Sequence, residues 1–509
     1  MHAPRFPRSA PHRPFRASLF AASLLWAGCG DGAELERDAG RPRDHDPRDA
    51  EVEPDADDSG SPLDASEDAA EQREDAASEQ DAGEPVRDAD VEDGAAVDAG
   101  GEDAGPRDTL AVRLGAENAS TRLTQAIVGP AGDLFLVGHT NGEIDPRGQR
   151  GIMDALVVRM HADGRVAWAR QLGDAGIAPG MVVKAWDAAL TAGGDLIVVG
   201  LVNGRPTFQG QPLSSTYTAF VAAFSAEGEQ RWLRLLSGTD GSSEAMGVEV
   251  LRDGRIAVAG YTTASDLHGA QALGAGDVFV AWLSSAGEIA SVRRYGAATE
   301  EYPTAFTARG DELYLARKTA PVGEPANALS IVRLSATGEA EASVELEEPR
   351  VGEIAALAAI DSGVCVGLQL RGVTFDGRST VEYGLRCYDA ELREKRALRG
   401  GTPGGRAFVQ SIACSGEGSC VLVGFADGWF EGEPLDAAVE AFALGIGPDG
   451  ARLFARRFAA SALPDRDSVA RITTAASAGN GRFVVAGDAN GPLFGSSLGS
   501  LDGFVTAVE

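Results

Sequence analysis

The chain has 509 residues and a formal net charge of −31, from 76 acidic and 45 basic side chains. Much of that charge is local: 29 acidic and only 7 basic residues lie between Asp31 and Leu110. The remainder of the chain is mildly acidic and lacks the basic excess that phosphate backbones require, which excludes nucleic acid as a partner.

The N-terminus reads as an export signal. Arg5, Arg8, Arg13 and Arg16 form a basic region, and the apolar run ASLFAASLLWA follows at 17–27. The run is too short to span a bilayer and sits behind a basic flank, as a signal h-region does. It ends in Ala27, Gly28 and Cys29. These residues resemble the bacterial lipobox, although Trp26 stands where that motif prefers Leu. The resemblance implies cleavage after residue 28 and acylation of the Cys29 thiol. Gly30 in place of Asp implies sorting to the outer membrane. The expected attachment is therefore a lipid on residue 29, and the alternative is ordinary secretion with a free thiol.

Residues 29–108 are mostly Asp, Ala, Glu, Gly and Pro, with almost no aromatic or β-branched side chains. Such a segment cannot bury enough apolar surface to offset chain entropy, and it is expected to be a disordered acidic tether. A neutral flexible chain of this length spans roughly 50 Å, and like charges extend it further. DADDSG at 55–60 has part of an EF-hand spacing, but the twelfth position is Ser66 and no amphipathic helix flanks it, so no calcium site is assigned.

From residue 109 onward the sequence repeats. GDLFLVG, GDLIVVG, GRIAVAG, DELYLA, GVCVG, SCVLVG and GRFVVAG begin at 132, 194, 254, 311, 363, 419 and 481, which makes seven units. A second apolar strand comes after each, from DALVVRM at 154 to DGFVTAV at 502. The tight turns HADG, SAEG, SSAG, SATG and GPDG come after five of them. Asp and Gly there suit a hairpin with positive φ. The next strand carries Trp168, Trp232 or Phe454 at one register, and a further short strand precedes each glycine-bounded one, as TQAIV does from Thr124. Four antiparallel strands per unit and seven units give an all-β fold, a seven-bladed β-propeller over 109–509. The last unit ends after three strands, and LAVRLG at 110–115 repeats the fourth-strand pattern WARQLG at 168–173. An N-terminal strand that completes the last blade would leave no open edge.

The units resemble the bacterial SBBP-type propeller repeat, through Gly138–Thr140, Asp154–Val158, Gly164–Trp168, Gly260–Thr262 and Asp277–Val280. The resemblance implies an extracytoplasmic lipoprotein of unassigned activity, and it specifies fold better than function.

Signatures of chemistry are sparse. No phosphate loop, zinc-protease motif or sialidase-type Asp-box occurs. His139, His161 and His268 share no register, so no metal or cofactor is expected. Asp154, Asp277 and Asp502 each open a strand, where capping of a nearby N–H explains them better than a ring of ligands does. Trp168 and Trp232 could form a carbohydrate platform, but one shared register favours packing between blades. Cys414 and Cys420 flank a hairpin turn, and Cys365 and Cys387 lie on successive strands. Of the three possible pairings the local ones, 365–387 and 414–420, are expected in an exported protein; buried free thiols are the alternative.

These readings predict a monomeric, non-catalytic binding or scaffolding module at the outer membrane, with a protein or carbohydrate ligand on its loops or channel rim. The rival is a polysaccharide hydrolase or lyase with its site at the central channel. Acidic or histidine side chains buried along the channel would favour that rival, and an apolar channel would not.

Overall fold

Short β-rich segments between glycine turns fold here as antiparallel meanders. The computed structural model describes residues 110–509 except 149, 175–179, 205, 321–327, 347–350, 374–378, 402–403 and 464–466. The signal region, Cys29 and the acidic segment lie outside the described residues. Among the described residues no helix is long and apolar enough to cross a membrane.

Seven four-stranded meanders occupy 121–172, 182–236, 243–295, 300–345, 351–400, 406–458 and 470–508. The fifth and sixth belong to one sheet, joined by the single parallel pair Val381–Arg406. The seventh takes its outer strand from the other end of the domain: Ala111–Leu114 pairs antiparallel with Asp502–Val508, Val112 opposite Val505. The N-terminal closing strand expected from LAVRLG is therefore present.

The units meet in cyclic order. The bridge between units five and six recurs at equivalent positions as Met153–Val182, Gly276–Glu300, Val439–Val469 and Leu501–Ser120. The last of these joins unit seven to unit one. Seven apolar clusters lead to the same conclusion, because each spans one interface between consecutive units. One of them packs Val484, Ala486, Val505, Val112 and Leu114 against Leu123, Leu136 and Val158 across the seam. Each sheet thus buries both faces against its neighbours, which is why the second and third strands are almost continuously apolar.

The repeated residues find structural uses. The turn glycines Gly164, Gly228, Gly287, Gly338 and Gly450 have φ between 78° and 91°. Trp168 Nε1 donates to Ala226 O (2.8 Å) and Trp232 Nε1 to Ser285 O (3.2 Å), so each indole lies on the next unit's turn. These tryptophans pack between units, as expected. Asp154, Asp277 and Asp502 accept from the backbone N–H four residues earlier, at Arg150 (2.7 Å), Leu273 (2.9 Å) and Leu498 (2.8 Å). Each also meets a fourth-strand side chain: Gln171, Arg294 and Arg113 respectively. The capping reading of these aspartates holds, with an added cross-strand tie.

Candidate functional site: the long-loop end of the central channel

The first strand of each unit carries a β-bulge at one register. The breaks fall at Leu123/Gln125, Ala185/Asp187, Ala245/Gly247, Pro303/Ala305, Ile354/Ala356, Val409/Ser411 and Ile472/Thr474. Opposite most bulges stands the repeat's recurring glycine. A Cβ on Gly138, Gly200, Gly424 or Gly487 would overlap the backbone carbonyl of Arg122, Lys184, Phe408 or Arg471. A bulge bends its strand and re-aims the neighbouring side chain.

The re-aimed residues pair with the second strand as Arg122–His139, Lys184–Leu201, Glu244–Tyr261, Tyr302–Lys318, Glu353–Gln369, Phe408–Phe425 and Arg471–Asp488. Their side chains touch from unit to unit. Phe408 stacks on Phe425 at 4.9 Å, and the Arg471 guanidinium lies 5.5 Å from the Phe425 ring. Asp488 pairs with Arg471 (3.8 Å) and, across the seam, with Arg122 (3.2 Å). His139 meets Trp186 edge-on at 5.8 Å, and Lys184 lies over the same indole at 5.6 Å. The same indole lies beside the Glu244 carboxyl and favours its charged form. Tyr261 stacks on Tyr302 at 4.7 Å and donates to Glu300 (2.9 Å). Lys318 and Arg371 act electrostatically on Glu353, and Gln369 donates to Val409 O (3.0 Å). A belt that passes through all seven interfaces in order encircles the common axis, so these residues ring a central channel.

Loop lengths distinguish the two ends of that channel. At the belt end the second strand reaches the third through long connections such as 141–153, 204–216, 263–276 and 490–501. Three of these connections contain small hairpins, including Trp429–Phe430 with Glu433–Pro434. The other end has only tight turns. Three of the four large apolar side chains exposed among the described residues, Ile152, Leu273 and Trp429, lie on these long connections. Long loops on a rigid scaffold are where binding residues concentrate.

Burial sets the electrostatics. It pushes the His139 imidazole down to about 3, helped by the Lys184 and Arg122 cations, so the ring is neutral at ordinary pH. Burial also lowers Lys184 and raises Glu244, Glu353 and Asp488, against the pull of the cations beside them. Cations, carboxyls raised by burial and aromatic faces are thus interleaved around one opening.

Farther along the channel lie two more carboxyls. Asp187 accepts from Gln125 Nε2 (2.6 Å), Ala188 N (2.8 Å) and Val248 N (2.9 Å), and burial raises it to about 6. Glu249 accepts from Ala308 N (3.1 Å). Burial and the nearby Asp187 charge raise it to about 8. Both line a cavity of about 700 Å³ with Ile127, Leu190 and Phe306. Each carboxylate also ties its strand to the next unit's backbone, which gives it a structural role.

Of the residues singled out in the sequence, Cys365–Cys387 and Cys414–Cys420 are disulfides with the expected pairing. Among the described residues the one thiol, histidine and carboxylate grouping compact enough for a metal is Cys365, Cys387 and Cys420, whose sulfurs are already bonded. The histidines scatter. His139 lies within the second strand Leu134–Thr140, His161 sits 3.4 Å from Asp133 in a turn, and His268 takes φ 50° in a hairpin turn. The belt residues carry no sequence signature because no single residue type recurs through all seven units. Aligning the seven first strands reveals them, since the position just before the bulge break's first residue is charged or aromatic in all seven.

No protein-family model matches the chain, and no curated protein matches it. Among solved structures it is similar to the polysaccharide lyase Uly1, at 8% identity and a TM-score of 0.41 over 76% of this chain and 89% of that one. It is also similar to the Hadza microbial sialidase Hz136, at 12% identity and a TM-score of 0.37 over 60% of this chain. The chain spans 63% of that sialidase. A Trypanosoma rangeli sialidase in complex with the inhibitor DANA matches at 8% identity and a TM-score of 0.36, over 78% of this chain and 56% of that one.

Proposed function

We propose that the chain is an exported seven-bladed β-propeller of SBBP-repeat type, held at the outer membrane by a lipid on Cys29, whose long-loop channel mouth binds an anionic saccharide. The observation that carries this reading is the closed belt. Arg122, Lys184 and Arg471 offer fixed positive donors, and Tyr302, Phe408 and the exposed Trp429 offer flat apolar faces. Sugars with carboxylate groups need both, because guanidinium recognises carboxylate and aromatic rings cover the apolar face of the pyranose. The acidic segment 29–108 would hold this mouth away from the membrane. The propeller acts alone, as a monomer, and needs no cofactor.

Calorimetric titration with uronate-containing oligosaccharides tests the reading. The uronate ligands should bind and their neutral counterparts should not. Arg122→Ala and Arg471→Ala should each weaken binding about tenfold or more, since a charge-assisted hydrogen bond contributes about 1.5–3 kcal/mol. Equal affinity for neutral sugars, or no effect of either substitution, overturns it.

The channel's buried acids favour a second reading, a polysaccharide-cleaving enzyme. Asp187 and Glu249 are two carboxyls raised to different extents, about 6 and about 8, which is how acid and base roles are divided between like groups. New reducing ends released from a uronate polysaccharide, and lost in Glu249→Gln, would establish it.

A further inference from the structure

We propose that the four cysteines of units five and six form a thiol–disulfide exchange relay, in which a thiolate freed at Cys420 displaces Cys387 from Cys365 and cross-links the two units.

The relay rests on the arrangement of the sulfurs. The two disulfides belong to neighbouring units, yet the Sγ atoms of Cys365, Cys387 and Cys420 all lie within 4.8 Å of one another. All three residues are buried in the apolar cluster between those units, whereas Cys414 is only half-buried. Cys414 is therefore the sulfur that a thiol from solvent reaches first.

One cation serves this group. Arg396 Nη2 lies 3.0 Å from Cys387 Sγ, 3.7 Å from Cys420 Sγ and 3.8 Å from Cys365 Sγ. The same guanidinium is anchored on unit six, where it donates to Gly447 O (2.6 Å) and Gly418 O (3.1 Å). A guanidinium beside sulfur stabilises thiolate over thiol. In exchange, the sulfur that leaves fastest is the one whose thiolate is best stabilised. The contact at 3.0 Å makes Cys387 that leaving group and Cys365 the atom attacked.

The steps balance without an oxidant. The thiolate of a small-molecule thiol attacks Cys414 Sγ, the Cys414–Cys420 bond breaks, and its electron pair leaves on Cys420. Cys420 thiolate then attacks Cys365 Sγ. The Cys365–Cys387 bond breaks, Cys365–Cys420 forms, and Cys387 departs as a thiolate against Arg396. One thiolate enters and one is released, and the number of disulfide bonds is unchanged. The new bond ties together two units whose ladders otherwise meet at the single pair Val381–Arg406.

Cys414→Ser in the full chain leaves Cys420 a thiol without any added reagent. Acid quenching, alkylation and peptide mapping without reduction should then recover Cys365 linked to Cys420, with the alkyl label on Cys387. Cys420→Ser frees Cys414, which stands outside the compact sulfur group, and should keep Cys365–Cys387 intact. Adding Arg396→Gln to Cys414→Ser should slow the exchange about tenfold. An intact Cys365–Cys387 bond with the label on Cys420 overturns the relay. Should Cys414→Ser fail to fold, glutathione treatment of the wild-type chain decides. The relay gives glutathionylated Cys414, a Cys365–Cys420 link and a labelled Cys387. Glutathionylated Cys414 with labelled Cys420 contradicts it.

Discussion

Removing residues 1–115 should collapse the fold, while removing residues 1–108 should leave it intact. The seven residues between those truncations contain the strand Ala111–Leu114, which closes the seventh sheet. Val112 and Leu114 are buried in the seam cluster, where each contributes about 1.5–3 kcal/mol. Arg113 is fully buried, pairs with the buried Asp502, and donates to Gly491 O (2.9 Å) and Leu493 O (3.3 Å). Stripping a buried carboxylate of its cation costs about 3–5 kcal/mol. Together these losses approach about 10 kcal/mol, comparable to the whole stability of a typical domain, about 5–15 kcal/mol. Thermal unfolding of the full chain, 109–509 and 116–509 reads the effect directly. The first two should melt together, and 116–509 should melt at least roughly 10 °C lower or show no cooperative transition. Arg113→Ala in the full chain should lose part of that margin. Equal midpoints for 109–509 and 116–509 would refute the seam as the ring's closing contact.

Three further outcomes are expected. Gly200→Ala should destabilise by about 1–3 kcal/mol in denaturant titration, because its Cβ would overlap the Lys184 carbonyl across the bulge. Glu249 is raised in the folded state, so its contribution is fully present below its unfolded pKa and is lost as pH rises toward about 8. Stability should therefore fall between about pH 5 and pH 8, and Glu249→Gln should flatten that slope, gaining stability over the wild type at the alkaline end only. Cys29→Ser should move the protein from the membrane to the soluble fraction on fractionation, and retention in the membrane would contradict the lipid anchor.

Much of the architecture was legible because it repeats. Glycine-bounded strands such as 132–138 and 481–487 announced the units, LAVRLG announced the closing strand, and paired positions across hairpins announced both disulfides. Asp154 caps and Trp168 packs, as recurrence at one register implies of a residue that serves the repeat itself. The belt was illegible for the converse reason. Arg122, Lys184, Glu244, Tyr302, Glu353, Phe408 and Arg471 share a position but mix cations, carboxyls and aromatic rings, and only the bulge makes that position face the axis. Asp187 and Glu249 likewise look like ordinary surface acids in sequence, and only ring closure buries them.

Hydrogen exchange of the chain saturated with a uronate oligosaccharide reads whether the long-loop channel mouth is the ligand seat. Exchange should slow in the long connections at 141–153, 263–276 and 428–439 and at the starts of the first strands, around Arg122, Lys184 and Arg471. Protection confined to the tight-turn end, or to outer strands such as Arg452–Phe458, would contradict it.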